Sequence, residues 1–263
     1  MARFCSLFSS SSGNSTFISS ASSSLLIDAG VSAKRMMKAL TDREIDPKKI
    51  GGIFITHEHS DHIAGVRILA TNHNIPVYAT EGTISAMEEN GTINGKFPFE
   101  VIPNEGVVVG DMLVKSFKTP HDSRESCGFT ITMPDLQKVS VATDIGHMTE
   151  EIMRNLKGSS LVMLESNHDE GMLRNGIYPY HLKRRILSDV GHLSNENCAK
   201  AITELFRSGS TRFFLGHLSK DNNFPELAFQ TSYSALVSMG ATMGRDFTLE
   251  VNKIENDGDL IRF

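Results

Sequence analysis

Residues 51–65 read GGIFITHEHSDHIAG, a short apolar, β-branched run that delivers three histidines and an aspartate within six residues. Alternate side chains of an extended segment share a side, so His57 and His59 point together, with Asp61 and His62 at the turn that follows. Imidazole nitrogens and a carboxylate oxygen suit zinc, manganese or iron. With ten histidines in 263 residues, an H-x-H-x-D-H string arises by chance on the order of once in a thousand such chains. The stretch reads as a metal site rather than a polar surface loop.

The rest of the chain bounds what such a site can serve. Lys and Arg number 26 against 31 Asp and Glu, a net charge of −5. That balance argues against holding nucleic acid by a broad basic surface, although a metal pair can supply positive charge locally. Fifteen Phe and twelve Met, with no Trp, are enough to fill a sizeable core. Cys5, Cys127 and Cys198 are odd in number and widely spaced, with no C-x-x-C, which excludes a disulfide framework and fits a reducing cytoplasm. The opening MARFCSLFSSSSGNS lacks the apolar centre of a signal peptide, and no apolar run approaches the roughly 20 residues needed to cross a bilayer. A cytoplasmic protein with no membrane association is expected. Composition leaves homo-oligomerisation open.

Turn chemistry punctuates short apolar runs at 4–8, 15–18 and 25–27, which predicts strands, the last ending in Asp28-Ala29-Gly30. A carboxylate at the end of an apolar strand either caps the next segment or supports a site from behind, and Asp28 is assigned to that pair of roles. Helices are predicted at 32–44, 63–72 and 83–89, and strands at 51–55 and 76–79. Residues 99–142 carry closely spaced strands at 99–102, 107–109, 112–117, 128–133 and 138–142, read as one meander-like block. Helices near 149–156, 180–190, 194–207 and 224–239 follow, with strands at 161–164 and 212–215 and a closing strand pair at 247–253 and 259–263. No internal linker is long enough to mark a boundary, so residues 1–263 are expected to form a single α/β domain.

Four strand ends now carry candidate ligands: the 57–62 cluster, His121 in TPHDS, Asp144 in TDIGH and His217 in GHLS. Taken singly, His121 also suits a turn, Asp144 an Asx turn or a helix cap, and His217 a strand-end surface position. His147 and His168 compete for the seventh place. The order and spacing of these motifs resemble the metallo-β-lactamase superfamily over nearly the whole chain. The resemblance implies an αββα sandwich, two mixed β-sheets flanked by helices. It also implies two divalent ions, zinc or manganese with iron admitted. One would be held by His57, His59 and His121 and the other by Asp61, His62 and His217, with Asp144 bridging. Two such ions can share a hydroxide that attacks substrate.

Thiol-bearing lactamase sites have a cysteine where this chain has an aspartate, which disfavours β-lactam hydrolysis. Gly191-His192-Leu193-Ser194 opens a helix that precedes the His217 strand. This is similar to the tRNase Z group, in which such a histidine assists phosphodiester cleavage; His192 also suits a plain helix start capped by Ser194. The strings SSSSGNS, LESNHDEGML, YPYHLKRRILSDVGHLSNENCA and LGHLSKDNN resemble the YycJ (WalJ) branch, associated with exonuclease action on DNA. Only 72 residues separate Asp144 from His217, too few for the cap domain of β-CASP nucleases.

Lys183, Arg184 and Arg185 offer positive charge for substrate phosphates, or form a solvated helix face. Tyr178 and Tyr180 suit base stacking or helix-start packing. The expected activity is a two-metal DNA exonuclease, 5′ to 3′ by resemblance, with Asp61 and His192 as catalytic groups and DNA rather than RNA as partner. A small-molecule thioester or lactone hydrolase and a non-catalytic regulatory scaffold are the alternatives.

Overall fold

The computed structural model describes residues 2–258 and 260–263. The first half of the chain runs β1 (Arg3–Ser10), β2 (Gly13–Ser19), β3 (Ser24–Ile27), α1 (Ala33–Thr41), β4 (Ile50–Phe54), α2 (Ser60–Ile63), α3 (Val66–His73), β5 (Val77–Ala79), α4 (Glu81–Glu89) and β6 (Phe99–Val101). The second half runs β7 (Val107–Val109), β8 (Met112–Lys118), β9 (Cys127–Thr132), β10 (Lys138–Ala142), α5 (Glu150–Leu156), β11 (Leu161–Glu165), α6 (Glu170–Asn175), α7 (Tyr180–Ile186), α8 (Asn195–Arg207), β12 (Arg212–Gly216), α9 (Pro225–Val237), β13 (Thr248–Val251) and β14 (Ile261–Arg262).

These elements build two seven-stranded sheets, ordered β14-β1-β2-β3-β4-β5-β6 and β13-β12-β11-β10-β9-β8-β7. Each sheet switches from antiparallel hairpins to parallel strands, at β3/β4 in the first and β10/β11 in the second. Parallel neighbours need crossovers, and helices supply them on the outer faces. Side chains alternate accordingly. Ile53 and Ile55 face the helical layer with Met36, Leu40 and Leu69, while Phe54 faces inward. On β12, Phe213 and Leu215 meet α8 and α9 while Phe214 faces inward. The inward set, with Phe4, Ile18, Leu25, Phe129 and Leu161, fills the space between the sheets. Helix starts are fixed locally: Ser32, Thr80, Thr149 and Ser194 each accept a backbone N–H of the first turn.

The αββα sandwich with two mixed sheets is therefore as expected, but four assignments change. The 99–142 block divides. β6 pairs parallel with β5 in the first sheet because α4 is a crossover, and only β7 to β10 form a meander. The closing strands are not a pair either. β13 joins β12 in the second sheet, while the chain then crosses to lay β14 against β1, where Ile261 and Phe263 reach the inter-sheet core. Residue 259 of that expected strand lies outside the described residues. α6 was not foreseen, and the helix expected at 63–72 is broken at Gly65, whose N–H donates to Ala29 O at 2.8 Å.

Close backbone approach sets the geometry beneath the histidine stretch. A Cβ on Gly30 would lie 1.6 Å from the Asp61 carbonyl oxygen and 2.7 Å from the Asn14 nitrogen. A Gly30→Ala substitution is expected to cost about 1–3 kcal/mol through forced displacement, a fall in Tm of roughly 2–12 °C for a protein of this size. Calorimetry on the purified variant checks this, and an unchanged Tm contradicts the close packing.

Candidate metal centre

The carboxyl ends of parallel strands converge at one edge of the sandwich, where open α/β sheets place ligands. Asp28 leaves β3, the 57–62 cluster leaves β4, Asp144 leaves β10, Glu165 ends β11 and His217 leaves β12. Asp28, Asp144 and His217 occupy the left-handed region, with φ of 60°, 58° and 56°. Non-glycine residues pay about 1–3 kcal/mol there, and the bend turns each side chain back over its strand end. His121 comes from the connection between β8 and β9.

Six imidazoles close a circuit. Ring centroids are 4.5 Å apart for His57 and His59, 5.2 Å for His59 and His121, and 5.2 Å for His121 and His192. The circuit continues through His217 at 5.2 Å and His62 at 5.9 Å and returns to His57 at 4.1 Å. Asp144 stands inside it, with carboxylate oxygens 3.1 Å from His217 Nδ1, 3.3 Å from His62 Nε2, 3.7 Å from His192 Nδ1 and 3.8 Å from His121 Nε2. Four donor groups could each hold a cation: His57, His59 and His121; His57, His62 and Asp144; Asp61, His62 and His217; and Asp144, Glu165, His192 and His217. His57 Nε2 and His59 Nδ1 face each other at 3.0 Å. Asp144 Oδ2 and both ring nitrogens of His217 are buried without a hydrogen-bond partner among the described residues. Orphaned buried donors and acceptors of this kind fit bound metal.

Supporting contacts fix which atoms face inward. The Thr56 N–H and hydroxyl donate to Asp28 at 2.8 and 2.9 Å, and His62 Nδ1 donates to the same carboxylate at 2.8 Å. His62 Nε2 is thereby turned to the centre, beside Asn14 Nδ2 at 3.1 Å. Burial pushes the Asp28 carboxyl up, against the pull of His62. Burial also holds His57 well below the usual imidazole range, and His121 is lowered for the same reason, so both favour the neutral form that ligates metal. His62 goes the other way: burial disfavours its charge, but Asp28 and Asp144 hold it well above its ordinary value. Asp144 resists burial through its histidine neighbours, His217 and His62, and stays well below the carboxylate range.

Sequence reasoning missed Glu165. Its Oε2 accepts Ile145 N–H at 2.8 Å and Leu193 N–H at 3.1 Å, and its Oε1 accepts from His192 Nδ1 at 2.8 Å. Its signal was the one read for Asp28, a carboxylate closing an apolar strand. Asn14 and Thr56 carried no comparable signal. The competing histidines stand aside: exposed His147 donates to Asp189 O, and buried His168 faces Asn167 Oδ1. The basic triplet separates. Lys183 Nζ donates to Arg174 O and Gly176 O, and Arg185 pairs with Asp122, whose Oδ1 lies 3.3 Å from His121 Nε2. Arg184 points outward over the Tyr180 ring at 5.9 Å. An open groove of about 510 Å³, lined by Ser60, Arg67, Asn90 and Thr92 among others, runs from the His59 flank.

Fold and centre together define the class: the family described as the beta-lactamase superfamily domain matches residues 24–217. The solved structure of the metallo-beta-lactamase fold protein YhfI from Bacillus subtilis superposes with a TM-score of 0.74 at 16% identity, covering 100% of both chains. Closer in sequence is "Exodeoxyribonuclease YycJ" of Bacillus anthracis, 38% identical over 249 residues, covering 94% of this chain and 93% of that one. "Exodeoxyribonuclease WalJ" of Streptococcus pneumoniae is 37% identical over 246 residues, covering 92% and 90%. The chain belongs to the β-lactamase superfamily and, within it, to the family of the YycJ and WalJ exodeoxyribonucleases.

Without metal, the carboxylates around His217 set a pH dependence. Burial lowers its pKa, but Asp144 and Glu165 outweigh that and raise it from 6.5 to about 10. A raised folded-state value stabilises fully below pH 6.5 and is lost as pH climbs through about 10. The urea midpoint of chelator-treated protein is expected to fall between pH 6.5 and 10, and His217→Gln is expected to flatten that limb. A wild-type midpoint that is level or rises over this range contradicts the arrangement.

Proposed function

We propose that this chain is a cytoplasmic, metal-dependent nuclease that hydrolyses DNA phosphodiesters as a 5′ to 3′ exonuclease, working as a single domain. The observation that carries this reading is the His192–Glu165 pair set against the histidine circuit. Hydrolysis of an activated ester needs no proton donor for its leaving group, whereas a departing 3′-oxygen does. His192 is 15% exposed at its side chain, while the His62 and His217 side chains are at 0% and 1%, so with half-buried His59 it is one of the two imidazoles of the circuit a substrate can reach. The names of the relatives support DNA as the substrate. No helix among the described residues is long and apolar enough to cross a membrane, and three buried free thiols suit a reducing compartment.

In this reading His57, His59 and His121 hold one divalent ion, Asp61, His62 and His217 the other, and Asp144 reaches both. Zinc or manganese suits the donor set, with iron admitted. When bound, such ions supply Lewis acidity and lower the pKa of water from about 15.7 towards 7. Asp28 keeps His62 Nε2 facing inward through its bond to Nδ1. Asp61, at the mouth, orients the attacking water. Glu165 accepts a hydrogen bond from His192 Nδ1–H, which stays on the ring, while Nε2–H gives its proton to the departing 3′-oxygen, so the products carry a 5′-phosphate and a 3′-hydroxyl. Arg184 is assigned to substrate phosphate, while Lys183 and Arg185 add positive field from fixed positions.

Purified protein is expected to degrade end-labelled DNA with manganese or zinc and to stop when chelated, with a thioester as control. His192→Ala is expected to lower DNA cleavage by about 10²- to 10⁴-fold while retaining metal by elemental analysis. His59→Ala with full activity would sink the proposal. Asp28→Asn should weaken metal binding about 10- to 100-fold, read by competition with a chromogenic chelator.

A further inference from the structure

We infer that Ile177 and Tyr180 form a preset stacking platform for unpaired bases, so that the substrate strand is taken single-stranded; this rests on the nuclease reading above. Ile177 is 90% exposed and Tyr180 75%, extreme values for large apolar side chains. The segment that displays them is nevertheless tied down. Lys183 Nζ donates to Arg174 O and Gly176 O, which close the preceding turn, and the Tyr178 hydroxyl donates to Asp221 Oδ2 at 2.7 Å. The two tyrosines of YPY thus divide the work: Tyr178 anchors and Tyr180 is presented.

Its position ties this segment to the centre. Asp221 lies four residues past His217, and Asp122, bound by Arg185 from the same short helix, directly follows His121. The segment therefore bridges the connections carrying two of the candidate ligands and stands on the rim beside His192. Its charge suits a polyanion. Arg184 is exposed and lies over the Tyr180 ring, the pairing of cation and π-face that tracks a backbone while bases stack. Bases inside a duplex have both faces covered, so such a platform engages only single strands and frayed ends. Rigid presentation keeps the ordering cost of binding small.

Stacking on one aromatic side chain is worth about 1–3 kcal/mol per base, or roughly 5- to 150-fold in affinity. Anisotropy of labelled single-stranded DNA and blunt duplex, with chelator present to prevent cleavage, should show Tyr180→Ala weakening the single strand by that factor and the duplex less than twofold. Tyr180→Trp should restore binding, and with manganese added the Ala variant's loss should fall on KM. The platform is overturned if Trp does not rescue, if both DNA forms weaken equally, if wild type binds no single strand, or if Tyr180→Ala alters sedimentation without altering DNA affinity, which makes the patch a contact between copies. Single-strand binding that depends on Tyr180 without cleavage by any metal tried overturns the nuclease reading and leaves the platform standing. Cleavage with an unchanged KM in Tyr180→Ala does the reverse.

Discussion

Six imidazoles packed ring to ring in a largely buried site cannot all take the cationic form, and holding them there requires compensating charge. Asp144 supplies the central part of it, with four of the six rings within 3.8 Å of its oxygens. Asp28 and Glu165 act from opposite sides, each fixing a histidine through Nδ1 while its other oxygen takes backbone N–H groups. The result is a graded set of protonation tendencies. Burial lowers His57 and His121 below the ordinary imidazole value, whereas neighbouring carboxylates raise His62 and His217 above it. A cation and a proton compete for the same nitrogens, so metal binding must release protons.

The two sheets contribute different chemistry to this balance. The first brings Asp28 and the 57–62 cluster, and the second brings Asp144, Glu165 and His217, with His121 from its hairpin. Asp28 and Asp144 occupy matching places, each just past the strand where its sheet turns from antiparallel to parallel, and each adopts a left-handed bend. Strain at these bends persists because the surrounding strands are buried on both faces and cannot relax around them. Gly30 and Gly65 allow the backbone after β3 to approach the turn after β4 closely enough for Asp28 to reach His62.

Most of the candidate cluster was legible because it is local. His57, His59, Asp61 and His62 sit within six residues, and His121, Asp144 and His217 each close a strand marked by turn chemistry. Sheet membership was less legible, since β6 and β14 pair with partners chosen by crossovers, which local periodicity does not encode. Glu165 was legible in principle by the rule applied to Asp28, yet its contacts appear only when the chain folds the intervening segment, two short helices and their connections, back to place His192 against it. The charge triplet misled in a different way. Sequence counts three cations, but hydrogen bonding commits Lys183 and Arg185 to protein partners and leaves Arg184 facing solvent.

Those commitments explain why the segment between α6 and α8 matters beyond carrying His192. It is held at Gly176 by Lys183, at Asp221 by Tyr178, at Asp122 by Arg185 and at Glu165 by His192. Two of these anchors, Asp122 and Asp221, lie on connections that also carry candidate ligands, and a third, Glu165, ends the strand beside that of Asp144. Asp122 and Asp221 thus tie the connections of His121 and His217 to the helix that presents Arg184 and to the turn that enters it. In the proposed reading, proton delivery and strand placement both depend on this one segment, whose anchors include the connections that carry His121 and His217.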